Sequence, residues 1–169
     1  MNATQQPKWD PLDKPKSLIN WGTWLHEEAK RTFLRDKTHG QMLFLFNDDG
    51  LCSISPIPPN TSSEQITAGV RQAVQENNLY GVITISEAWA YFPEDKNDHT
   101  SFQLLDGEMK VADLNDEDKT EALLVKTESK DRGGITWVDK IVRDGDEVSL
   151  GKALMMDKKD CLGWQGYFE

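Results

Sequence analysis

Cysteine is nearly absent from this chain of 169 residues: Cys52 and Cys161 stand far apart and in no metal-like spacing. That argues against both a disulfide framework and a zinc cluster, and makes a reducing cytosol the expected compartment. Long apolar runs are missing too. The opening MNATQQPKWDPLDKPK has no stretch of signal-peptide type, and no later run approaches the length that spans a bilayer. A soluble, cytoplasmic protein with no membrane role is expected. Basic charge is scarce as well: 19 Lys and Arg face 29 Asp and Glu, a formal net charge of −10. Nonspecific binding to nucleic acid phosphates needs a Lys/Arg-rich face, so direct nucleic-acid binding is not expected.

The usual catalytic signatures are also wanting. There is no Gly-rich phosphate loop ending in Gly-Lys-Ser/Thr, no G-x-G-x-x-G after a strand, no G-x-S-x-G elbow and no H-E-x-x-H. His26, His39 and His99 are isolated, with no carboxylate or cysteine at ligand spacing on the same face, and His26 reads as a partly buried structural histidine. Residues 113–124 begin like a calcium loop but lack its central glycine and carry Leu124 where the bidentate acid belongs. No metal site and no cofactor are expected.

What the chain does hold is order in residues 80–91, YGVITISEAWAY. Strand side chains alternate between faces, so Ile83, Ile85, Glu87, Trp89 and Tyr91 share one side, and Val82, Thr84, Ser86, Ala88 and Ala90 the other. Glu87 thus falls among large apolar residues. A carboxylate there must be hydrogen-bonded, paired with a cation, held neutral, or used in a site. Lys126, Lys140 and Arg143 are the candidate cations, and periodicity favours a core position for Trp89 and Tyr91.

Around this strand the pattern predicts an α+β fold: a mainly antiparallel sheet of about five to six strands with two helices packed on one face. Leu18, Trp21, Leu25, Ala29 and Phe33 recur at helical spacing, predicting a helix over 17–36 with Ser17 as N-cap. Residues 42–46 (MLFLF) and 51–57 (LCSISPI) flank Asn47-Asp48-Asp49-Gly50, a hairpin signal. Thr61 and Glu64 offer a capping box for a helix over 63–76. Further strands are expected at 121–127, 135–142 and 147–155. The domain organisation follows: an irregular N-terminal arm at 1–16, one α+β domain at 17–156 with an acidic insertion at 93–119, and an aromatic C-terminal tail at 157–169. Trp9 is expected to pack the arm down, and the tail, with Trp164, Tyr167 and Phe168, to dock on its own domain.

Two motifs bear on function. Leu123-Leu124-Val125 followed by Thr127-Glu128-Ser129-Lys130 resembles the Glu-x-Lys strand of PD-(D/E)xK nucleases, with Pro93-Glu94-Asp95 upstream. Such chemistry needs two carboxylates on a divalent metal and a lysine at the developing charge. The upstream acid here sits in a loop, and Glu128 and Lys130 run straight into a turn, so the pattern is incomplete. Separately, Thr38-His39-Gly40, Glu87-Ala88-Trp89 and Glu121-Ala122-Leu123 resemble short motifs of small α/β proteins of bacteria and phages. That resemblance covers residues 40–127 and implies no activity.

The pattern as a whole favours a non-catalytic protein-binding module whose partner is another protein. Trp89, Tyr91 and the acids Asp116, Glu117 and Asp118 are its candidate binding residues. The first alternative is a metal-dependent hydrolase or nuclease using Glu87, Glu121 or Glu128 with Lys126 or Lys130. The second is an acidic inhibitor that imitates nucleic acid, prompted by ten acids against three lysines over residues 92–121.

Overall fold

A proline and an aspartate set the start of the first helix. In the computed structural model, which describes residues 5–90, 114–115, 119–131, 133–157 and 166–168, α1 runs Lys14–Asp36 with Asp13 as its N-cap. Pro15 fits the first turn, where its missing N–H goes unused and its fixed φ is already helical. Ser17, the expected cap, therefore lies inside the helix. Its hydroxyl accepts the Asp10 N–H at 2.9 Å and ties the arm to the helix instead. Trp9 completes that attachment, stacking on Phe46 and donating from its indole nitrogen to Asp48 O at 2.9 Å.

The hairpin forms as expected, β1 at Met42–Asn47 and β2 at Gly50–Pro56, with Gly50 at φ +117° beneath the Trp9 side chain. The second helix, α2 at Ser63–Asn77, is capped one residue later than expected, by Ser62 and Gln65. The Thr61 hydroxyl is already committed to Pro58 O at 2.7 Å, which leaves Ser62 to satisfy the helix. Five strands follow among the described residues: β3 Gly81–Ala90, β4 Thr120–Ser129, β5 Gly134–Asp144, β6 Glu147–Leu150 and β7 Leu154–Asp157.

All pairings are antiparallel, in the order β2-β1-β3-β4-β5-β6, with β7 also on β5. Because β6 pairs with Ile141 to Asp144 and β7 with Ile135 to Val138, the two share one edge as a broken strand. The α+β class and the antiparallel sheet are thus as expected, but the helices do not share a face. Leu18, Trp21, Leu25 and Phe33 of α1 bury against Phe44, Phe46, Ile83, Ile85, Leu123 and Val125. Ile66, Val70 and Val74 of α2 bury against Leu43, Leu45 and Val82, which are the alternate residues of the same strands. The reason is visible in β1 and β3: MLFLF is apolar at every position and Val82 and Ile83 are apolar neighbours on opposite faces, so both faces of the sheet need cover.

Candidate functional site

Glu87 projects from β3 on the α1 face, half-buried, and its carboxylate accepts the backbone N–H of His39 at 2.7 Å. It therefore fastens the link between α1 and β1. The expected cation pairing is not what is found. Lys126 lies opposite Thr84 and Lys140 opposite Ala122 in the pairing register, so both project from the other face, while Arg143 Nε donates to Glu121 at 2.8 Å. Trp89, expected in the core, is 43% exposed, with Lys119 Nζ 4.6 Å from its ring centroid. Tyr91, Asp116, Glu117 and Asp118 lie outside the described residues, as do Pro93-Glu94-Asp95, His99, Trp164 and all of the acidic insertion except Leu114, Asn115 and Lys119.

Glu128 and Lys130 differ sharply in setting. Glu128 is fully buried on the α2 face, across from Val82, and accepts the Tyr167 backbone N–H at 2.8 Å. Lys130 is exposed and reaches Asn78 Oδ1 at 3.3 Å. The acids offered as alternatives for a metal-dependent site do not converge: Glu87 and Glu121 belong to the α1 face, Glu128 to the opposite one. Among the described residues no three His, Cys, Asp or Glu side chains are grouped to hold a metal ion.

A deeply enclosed ionisable pair among the described residues has no counterpart among the sequence expectations. His26 Nε2 lies 2.5 Å from Asp139 Oδ2, with His26 only 4% and Asp139 only 1% exposed, and the His26 ring stacks on Trp137. His26 is structural, as its place beside Leu25 implied, and with Asp139 it locks α1 onto β5. No local signal marks the partner, which lies 113 residues away.

On the other face, α2 covers the sheet only along Val70 and its neighbours, leaving a trough on each side. Toward the edge, a cavity of about 310 Å³ is lined by Leu43, Leu45, Pro56, Ile57, Ile66 and Val70 among others. Toward the sheet centre, a cavity of about 210 Å³ is bounded by Gln41, Ser63, Thr67, Ser86 and Lys126 and ends at Tyr167. Burial, joined by the nearby Glu128 charge, pushes the Tyr167 hydroxyl up to about 12, and a hydrogen bond with Thr84 pulls the other way. Burial likewise raises Tyr80 to about 12, helped by its bond to Asp131.

Neither curated proteins nor solved structures match this chain. A family model does. It matches residues 4–164, nearly the full length, and so the chain belongs to the family of bacteriophage lambda protein ea47.

Proposed function

We propose that this phage-family protein acts by binding another protein, accepting an extended apolar segment of its partner along the edge strand β2. One observation carries the reading: β2, GLCSISP, pairs only with β1 among the described residues and bears neither carboxylate nor basic side chain. Edge strands are usually guarded by charges, especially lysine, because their unpaired N–H and C=O groups recruit other strands. Among the described residues the guard is limited to Pro56 at one end and a bulge at Leu45/Phe46. Ile54 stands 52% exposed on the α1 face of the strand, opposite Phe44, while on the α2 face the apolar trough beside Ser55 would take the alternate side chains of an added strand. With a formal net charge of −10, a second copy is repelled and a basic partner is favoured during encounter.

A photo-crosslinking residue at Ile54, compared with one at the exposed Leu34 of α1, tests this in cells producing the protein. A discrete adduct from position 54 alone is expected. The purified partner should then bind the wild-type protein and lose its binding to Ile54→Lys at unchanged thermal midpoint. Identical adducts from both positions, or full binding by Ile54→Lys, would refute the edge as the docking surface.

A further inference from the structure

Residues 166–168 lie against the α2 face without joining a strand. Two charged side chains of the domain hold their backbone: Arg71 Nε donates to Gly166 O at 2.8 Å, and buried Glu128 accepts the Tyr167 N–H at 2.8 Å. The Tyr167 ring packs on Val70 and Val82 with Lys126 Nζ 5.2 Å from its centroid, and its hydroxyl bonds Thr84. A strand or helix satisfies its backbone through its own ladder. Here side chains read a backbone and one pocket reads an aromatic ring, which is the division of labour in peptide recognition. The groove also continues past Tyr167, through the cavity of about 210 Å³ toward Ser63 and Gln41, so residues 166–168 fill only one end of it.

We propose that this groove, on the opposite side of α2 from the β2 trough, is a peptide site for a Gly-Tyr-Phe segment. Residues 166–168 are its resident ligand, and a segment of the same chemistry from another chain takes their place. Arg71 and Glu128 fix the direction of the bound backbone, since one reads the carbonyl and the other the N–H of the single Gly166–Tyr167 peptide group. Tyr167 supplies the anchor. Its ring enters between Val82 and Val70 while Thr84 meets the hydroxyl, a combination that phenylalanine or leucine cannot reproduce.

The test uses the full-length chain with Tyr167→Ala, titrated with the peptide Gln-Gly-Tyr-Phe-Glu and followed by amide resonances of Thr84 and Lys126. Saturable binding is expected. The wild-type protein, with its own segment competing, should bind about tenfold more weakly or worse. A peptide with alanine for tyrosine should not bind. A folded Tyr167→Ala protein that ignores the peptide overturns the proposal. Hydrogen exchange of the wild-type protein tests it independently, even where the variant fails to fold. The Tyr167 amide should exchange through a local opening, faster than the amides of residues 82–85, and equal protection of both would overturn the proposal.

Discussion

Replacing Gly22 by alanine should destabilise this protein, although the same change inside an ordinary helix stabilises it by about 1 kcal/mol. Gly22 sits in the middle of α1, on the face pressed against the sheet. A Cβ there would lie 2.6 Å from Thr127 Cγ2 and 2.7 Å from two atoms of the Trp137 ring. Both neighbours are core residues, Thr127 at 1% and Trp137 at 6% exposure, so neither can swing into solvent. Overpacking of this kind costs typically about 1 to 3 kcal/mol, and two immobile neighbours place the site at the upper end. Subtracting the helix gain leaves a net loss of about 2 kcal/mol, or roughly 4 to 8 °C in Tm for a chain of this size. Gly69 provides the control. It is in α2, exposed, and nothing lies within 4 Å of the Cβ it would gain, so Gly69→Ala should raise stability by up to about 1 kcal/mol. Urea denaturation followed by circular dichroism, with equal m-values required, measures both. A Gly22→Ala protein as stable as Gly69→Ala would show that α1 does not approach β4 and β5 this closely.

Three further outcomes follow from the same geometry. Asp139→Ala strands His26 in a closed interior and should cost about 2 to 4 kcal/mol, whereas Glu121→Ala, which breaks a half-exposed pair with Arg143, should cost under about 1 kcal/mol; denaturation midpoints in the reverse order would refute the burial argument. Glu87→Gln keeps an oxygen that can accept the His39 N–H and should cost under about 1 kcal/mol, while Glu87→Ala, which leaves that donor without its partner, should cost more in chemical denaturation at neutral pH. Tyr167 titrates near 12 in the folded chain against about 10 unfolded, so its contribution is complete below pH 10 and declines as pH rises toward 12, by about 3 kcal/mol in all. Tyr167→Phe should flatten that alkaline decline in part, leaving the share due to Tyr80, and an unchanged slope would contradict the burial of the hydroxyl.

Much of the architecture is written locally. The spacing of Leu18, Trp21, Leu25 and Phe33 specifies a helix face, Asp49-Gly50 permits the hairpin, and the alternation through Ile83 and Ile85 places Glu87 on the α1 side of β3. Such signals work because backbone periodicity and turn chemistry act over a few residues. The unbroken apolar run of β1 demands cover on both faces, yet the sequence pattern set both helices on one, because nothing local says which helix meets which face.

What the tertiary structure alone decided is which groups meet. Glu87 found a backbone N–H, a donor that nearly every residue possesses and that no sequence pattern marks. His26 found Asp139 because α1 crosses β5, and Glu128 became buried because Tyr167 returns to it across 39 residues. An acid's spacing to its neighbours is the same whether it ends in solvent or beneath an aromatic ring. Only packing between distant segments distinguishes the two, which is why Glu128 looked like a strand-end acid in sequence and proved to be the anchor of the segment at 166–168.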